Sequence, residues 1–326
     1  MRGILSNTND PAFNLATEEF LLRKTEDDVF FLYVNQPSII VGKHQNALAE
    51  INFDYTHSKN IPVYRRLSGG GTVYHDLQNL NFCFIKSGEK NKLVNFALYS
   101  KPILEALTEL GIQANFGKRH DIQIDNKKIS GNASHVFKSR VMHHGTLLFN
   151  SELDILNNAL RTNPLHYKDK AVKSVRSEVT NISEYVNDII FQDFISFLFN
   201  YLLNYFSDSE SSELLPDEIK SIEELVKDKY TTDEWNFGYS PNYEMKKRIK
   251  LADGSRLSNS MKVSKGKIVN CVIKTNNKDN ELLFSELSEN LNGTIHLKND
   301  INIFFDNYIK NRSLNISKDE WLQLFF

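Results

Sequence analysis

Cysteine is nearly absent from this chain: Cys83 and Cys271 are the only two among 326 residues. That excludes a disulfide framework and leaves no CxxC spacing for zinc. No charge of one sign dominates either. The 39 lysines and arginines face 41 aspartates and glutamates, a formal net charge of −2. Without a strong global field, neither nucleic acid nor an anionic membrane is an expected partner. Long apolar runs are also missing. The most membrane-like stretch, FQDFISFLFNYLLNYF at 191–206, is interrupted by Gln192, Asp193, Asn200 and Asn204. It falls short of the ~20 residues that span a bilayer and predicts a helix buried on one broad face. The first twenty residues lack a cationic segment followed by an apolar one, so no signal peptide is expected. A cytoplasmic protein fits these absences.

What is present is ordinary for a globular chain: 40% hydrophobic and 25% charged residues. This excludes full disorder and collagen. The length suggests two domains, or one large domain with an appendage. Helical spacing covers 11–24, with Phe13, Ala16, Phe20 and Leu21 on the apolar side, Asp10 as cap and Pro11 at the first position. Strands are expected at 29–34, 38–42, 61–66, 73–75, 80–85, 120–124 and 143–149. Helices are expected at 94–110, stopped by Gly111, and at 152–160, 190–206 and 216–229. Residues 163–180, polar and basic, read as a mobile loop. The aromatic, Gly/Pro-punctuated WNFGYSPNYE at 235–244 reads as a boundary and hinge. Beyond it, strands at 244–251 and 267–274 flank an Asp253-Gly254 turn in a small α+β unit. The expected domains are 1–240 and 241–326.

The sharpest local feature is RRLSGGGTVYHD at 65–76. Consecutive glycines after a strand are entropically costly, and a plain hairpin needs only one or two. Their exposed N–H groups can form an anion-binding nest, with Arg65 and Arg66 adding donors. A tight turn beside two solvated arginines fits the residues equally well. Neither the P-loop spacing nor GxGxxG opening a helix is present. In DIQIDNKKISGNASHVF, 121–137, strand alternation turns one of Lys127 and Lys128 inward. An inward ammonium needs an anion; two exposed lysines are the bland alternative. His143 and His144 point to opposite faces of their strand, so they do not share a metal. One is expected to be a packed, hydrogen-bonded residue and the other to line a cleft. Cys83, mid-strand in LNFCFI, reads as core, with acyl-accepting nucleophile as its minority role. Cys271 reads as structural.

Taken together, RRLSGGGTVYHDLQNLNF, KKISGNASHVF, RVMHHGTLLF and SVRSEVTNI, in this order, resemble the lipoate–protein ligases over most of 1–240. WNFGYSP and the C-terminal unit resemble the accessory domain of the two-domain bacterial members. The resemblance implies an α+β fold, a mixed sheet flanked by helices of the biotin/lipoyl ligase type, with a small α+β accessory domain. It implies activation of lipoate by Mg-ATP to lipoyl-AMP. Transfer then follows to a lysine of the apo lipoyl domain of a 2-oxoacid dehydrogenase E2 subunit or of glycine-cleavage H protein, by a monomeric enzyme.

Residue by residue, the resemblance places the catalytic lysine at Lys128, bridging the lipoate carboxylate and the α-phosphate. Nucleotide contacts fall on Arg66, Gly71, Thr72, Val73, Tyr74, Lys128 and Asp121, with Asp121 also helping to hold Mg²⁺. Lipoate contacts fall on Ser68, Gly69, Gly70, Gly71, His75, Lys128 and His144. The segment 168–180, around Lys173 and Arg176, matches a loop that covers the adenylate. Two departures stand out: Gln78 where the family usually has Gly, and His120 where it often has Asn. Three rivals differ on the residues. An ATP-independent octanoyl or lipoyl transferase needs a cysteine nucleophile, for which Cys83 is the candidate in the large domain. A biotin ligase is disfavoured by HHGTLL and SVRSEVTN. A non-catalytic binding module is disfavoured by the presence of Lys128, Arg66 and the glycine turn.

Overall fold

The apolar runs VFFLYV and LNFCFI pair antiparallel at the centre of the largest sheet, as Val29–Val34 and Asn79–Ser87. Five consecutive residues of the first, Val29 to Tyr33, are buried, the pattern of a strand covered on both faces. The computed structural model describes residues 1–88, 93–160, 166–310, 312 and 314–326. The sheet has six strands in the order Asn132–Phe137, Arg140–Leu148, Asn79–Ser87, Val29–Val34, Arg2–Leu5, Glu210–Ser211. Its last two pairings are parallel and the others antiparallel, so it is mixed. Helices Phe96–Glu109 and Phe191–Tyr205 contribute to one core with Phe30, Leu32, Phe82, Phe84 and Val141. The membrane-like stretch is thus a helix burying Phe194, Ile195, Leu198 and Leu202. Each such side chain contributes roughly 1.5–3 kcal/mol. Among the described residues no helix is long and apolar enough to cross a membrane. Two three-stranded sheets complete this unit: Val63–Arg65, Ser38–Val41, Val73–His75, and Asn115–Phe116, Ile122–Ile124, Lys127–Ser130.

The chain divides into two units that are discontinuous in sequence. One comprises Met1–Lys43, Asn60–Leu160 and Ser174–Thr232; the other comprises His44–Lys59, Arg161–Lys173 and Asp233–Phe326. The last crossing lies near the expected boundary at 240. The segments 44–59 and 166–173, assigned by linear reading to the larger domain, instead pack with the smaller. The reasons are local: Phe53 stacks on Phe326 at 4.2 Å, and Tyr167–Asp169 pairs with Tyr243–Met245. Residues 167–169 are therefore a strand within the stretch read as mobile loop. Residues 161–165 lie outside the described residues.

The smaller unit is an antiparallel sheet, Tyr167–Asp169, Tyr243–Lys250, Arg256–Ser264, Lys267–Thr275, backed by helix Glu281–Asn290. Asp253-Gly254 turns the chain directly into Arg256–Ser264, a strand the pattern reading passes over. Glu234–Gly238, within the expected hinge, forms a single π-helical turn.

Candidate active site

The larger unit brings the glycine turn, Lys128 and His144 together around buried polar groups. The first helix, Pro11–Lys24, is buried almost all round, including Leu15, Glu18, Glu19 and Leu22. Phe13 and Phe20, expected on its apolar face, are only half-buried. Glu18 sits three residues after Leu15 and four before Leu22, on the inward face. Its carboxylate accepts from His144 Nδ1–H at 2.9 Å and from the Tyr33 hydroxyl at 3.0 Å. With Nδ1–H committed to Glu18, Nε2 of His144 accepts from Ser68 Oγ–H at 2.6 Å. Ser68 Oγ in turn accepts from Arg66 Nε–H at 3.0 Å. The glycine turn is thereby tied to the first helix through Arg66, Ser68, His144 and Glu18.

Arg66 is the post of the turn. Nη2 donates to the carbonyls of Gly69 and Gly71, each at 2.7 Å, and Nη1 to that of Ile40 at 3.0 Å. Burial lowers its pKa to about 10, opposed by Glu18 and Tyr33. Arg65, also buried, donates to the carbonyls of Gly42 and Lys43. Neither arginine is solvated, so the plain-turn reading of this segment fails. Both guanidinium groups hold backbone oxygens in this conformation. The three glycines differ in what they supply. Gly70 has φ +87°, the left-handed region. Gly71 gives room to Ser174, whose Oγ would lie 3.1 Å from an added Cβ and accepts from Thr72 N–H at 2.9 Å. Gly69 has open space. Val73, Tyr74 and His75 continue as the strand paired with Ser38–Ile40.

His75 accepts from Asn35 Nδ2–H at Nδ1, 3.0 Å away, while its buried Nε2 has no partner among the described residues. Burial pushes its pKa down to about 3, with Arg66 and His144 adding to the shift. His75, His144, Arg66, Tyr33, Ile40 and Gly145 line a narrow pocket with about 30 Å³ of free space. That is room for roughly one water. A Cβ on Gly145 would collide with Asn132 Oδ1 and the Phe82 ring. His143, on the other face of the strand, meets Ser134 Oγ at 3.0 Å and Ser100 Oγ at 3.3 Å and packs among Phe82, Phe96 and Tyr99. It is the packed histidine, and His144 is the one that lines the pocket.

Lys127 and Lys128 part as alternation dictates. Lys127 reaches Glu178 at 3.7 Å on the surface. Lys128 turns inward, and no side-chain partner for it occurs among the described residues. Its Nζ lies 3.0 Å from where a Cβ on Gly131 would stand, so the glycine of KKISG is the floor under the lysine tail. Burial lowers the Lys128 pKa; Asp121 opposes this, and Arg119 and Arg66 add to it. Backbone bonds Lys128 N–H to Glu178 O and Thr180 N–H to Lys128 O stitch this strand to the segment before Asn181. Asp121 is buried, accepts from Gln123 Nε2–H at 2.7 Å through Oδ2, and leaves Oδ1 without a partner among the described residues. Burial raises its pKa, but Gln123, backbone N–H groups and Lys128 outweigh that and hold the carboxyl low. Gly117 is required here, because a Cβ would lie 2.4 Å from Asp121 Oδ1.

Arg176 is exposed on 174–180 and, with Leu153, Asn157 and Glu178, borders an open depression of about 470 Å³. Lys173 belongs to the smaller unit, where it pairs with Asp169 at 2.6 Å. Cys83 is fully buried, and burial, reinforced by Glu18, pushes its thiol well above the usual range. Both departures fit the backbone. His120 has φ +60°, a left-handed position that Asn and His tolerate better than most residues. Gln78 is not in that region, and its N–H is held by Asp76 Oδ1 at 2.9 Å.

Comparison with known proteins places this arrangement. The family model of the lipoyl protein ligase A/B catalytic domain matches residues 10–203. The chain belongs to the lipoate–protein ligases. It is 44% identical to lipoate–protein ligase 1 of Staphylococcus aureus over 76% of each chain. It is similar to the crystal structure of P. falciparum LipL1 in complex with lipoate, with a TM-score of 0.61, 27% identity and coverage of 99% of this chain and 98% of that one. A lipoate–protein ligase A bound with ATP matches at a TM-score of 0.62 and 26% identity, over 73% of this chain and all (100%) of that one. The chain therefore has the ligase fold, a mixed sheet with flanking helices.

The residues that sequence reading missed in this ligase are Glu18, Asp76, Gly117 and Ser174. Asp76 holds two turns, accepting from Gln78 N–H and from Glu152 N–H at 2.8 Å. For Glu18 a signal exists: a carboxylate at helical spacing between Leu15 and Leu22. For Ser174, and for the bond from Asp76 to Glu152, the partners are too far away in sequence to be inferred, and the need for Gly117 shows only once Asp121 folds against it.

Proposed function

We propose that this ligase joins lipoate and ATP into lipoyl-AMP with release of pyrophosphate, then passes the lipoyl group to a lysine of an apo lipoyl domain. The acceptors are E2 lipoyl domains and glycine-cleavage H protein, and the enzyme works as a cytoplasmic monomer. The observation that carries this reading is Lys128, an inward lysine without a side-chain partner among the described residues, resting on Gly131 and near Asp121. In the first step a carboxylate attacks a phosphate, and two anions resist approach unless a cation stands between them. Lys128 is that cation. During transfer the same ammonium polarises the acyl carbonyl.

The turn Ser68–Gly71 and residues His75 and His144 would line the acyl chain. Gly71, Thr72, Val73, Tyr74 and Arg66 would flank the nucleotide, and the segment 174–180 bearing Arg176 would cover it. The pocket lined by His75 and His144 is narrow, the shape that suits a thin aliphatic chain. Asp121 fits a magnesium ion that is otherwise held by phosphates. Its Oδ1 is free of protein partners among the described residues, and among them no cluster of three metal-ligating side chains occurs. Bound there, magnesium would offset phosphate charge. The buried, high-pKa thiol of Cys83 counts against the transferase, which needs an accessible thiolate. The test is Lys128→Ala. Lipoate-dependent pyrophosphate release should fall at least about a hundredfold, the scale of losing one strong electrostatic contact, with an unchanged circular dichroism spectrum. Near-normal release contradicts the assignment.

A further inference from the structure

The smaller unit carries a charge pattern that the adenylation chemistry does not use. Across Tyr243–Lys250, Arg256–Ser264 and Lys267–Thr275 the sequence holds eight lysines and arginines against one acid, Glu244. The register sorts them. Lys246 lies opposite Ser260 and Arg248 opposite Ser258. Ser258 in turn faces Lys274, and Ser260 faces Val272. Directly paired residues share a face, so these six stand on one side of the sheet. The other side buries Met245, Leu257, Met261, Cys271 and Ile273, with helix Glu281–Asn290 behind it.

On the open side Lys246, Arg248 and Lys274 are exposed, and none has an acidic partner among the described residues. Glu244 is taken by Lys262 at 3.3 Å. By strand geometry Lys246 and Arg248 stand roughly 7 Å apart, and Lys274, two strands over from Arg248, roughly 10 Å away. Both spacings are within about one Debye length, so the three cations act as one positive field. His166 closes one side of the concavity they border, about 500 Å³. A chain of net charge −2 has concentrated positive charge on one sheet face.

We propose that this face is a docking surface for an acidic face of the protein acceptor. The proposal rests on the ligase reading above, which demands a folded macromolecular substrate. Unpaired cations spaced by hydroxyls, beside a 41% exposed valine, Val272, suit the mixed polar and apolar rim of a transient protein interface. Steering by such a face speeds encounter with the acceptor and leaves the chemistry at Lys128 untouched.

The test uses the full chain, a recombinant apo E2 lipoyl domain and the triple variant K246E/R248E/K274E, with K246Q/R248Q/K274Q as the milder form. KM for the lipoyl domain should rise about tenfold in the Glu variant, the scale of losing electrostatic steering, and less in the Gln variant. Lipoate-dependent pyrophosphate release without acceptor should stay within about twofold, since long-range surface charge leaves that step alone. The parent's KM should climb with salt more steeply than the variant's. An unchanged KM overturns the proposal. So does retention of a labelled single-stranded RNA by the parent, lost in the variant while the acceptor KM holds. Absence of pyrophosphate in the parent overturns the ligase reading itself, and this proposal with it.

Discussion

At the residue scale, the three glycines of the turn make a controlled comparison. Gly70 alone has a left-handed backbone, and a Cβ there would stand 3.0 Å from Arg66 Nη2. Gly70→Ala should therefore destabilise by about 1–2 kcal/mol and loosen the turn that Arg66 holds. Gly69 has open space and no positive φ. Gly69→Ala should be neutral or stabilising by about 0.5 kcal/mol through the unfolded chain. Thermal unfolding of the two variants distinguishes them, and equal losses would contradict the assignment of roles. The motif itself was legible in the sequence, but this division of labour was not. It depends on the Arg66 fork and on Ser174, 102 residues from its partner Thr72. Glu18 is a similar case, joined to His144 across 126 positions.

At the scale of the element, Arg140–Leu148 shows what alternation can and cannot reveal. It separates His143 from His144, but only tertiary packing decides which enters the core. The answer has a consequence for pH. Burial lowers the His143 pKa to about 3 against an unfolded value of 6.5. Between those values the unfolded state binds more protons, so stability is full above about 6.5 and is lost as pH falls toward about 3. His75 behaves the same way, with burial lowering its pKa to about 3. Urea midpoints should drop over this window, and His143→Gln should reduce the slope by about one proton. An unchanged slope would contradict a buried neutral imidazole. The strand Arg256–Ser264 marks the opposite limit. RLSNSMKVS buries Leu257, Met261 and Val263 but also Asn259, whose Nδ2–H donates to Leu324 O at 3.3 Å. An inward asparagine breaks the apolar alternation that reveals a strand.

At the scale of the whole molecule, near-neutral net charge conceals two local concentrations of cations. One is small and inward: Arg66 and Lys128 in the larger unit. The other is broad and outward, on the sheet of the smaller unit. Family membership and the catalytic core were readable because four motifs fall in order along the chain. The discontinuous units were not, because 44–59 and 166–173 are recruited by contacts with residues far along the chain. The central claim is ATP-dependent lipoyl transfer with the nucleotide consumed before the acceptor is modified. The most direct measurement combines the protein, lipoate, Mg-ATP and an apo lipoyl domain, following pyrophosphate and acceptor mass together. The account predicts pyrophosphate without acceptor, and a lipoyl mass increase on the domain only when ATP is present. Acylation without ATP from an acyl-carrier donor, or no pyrophosphate under any condition, would contradict it.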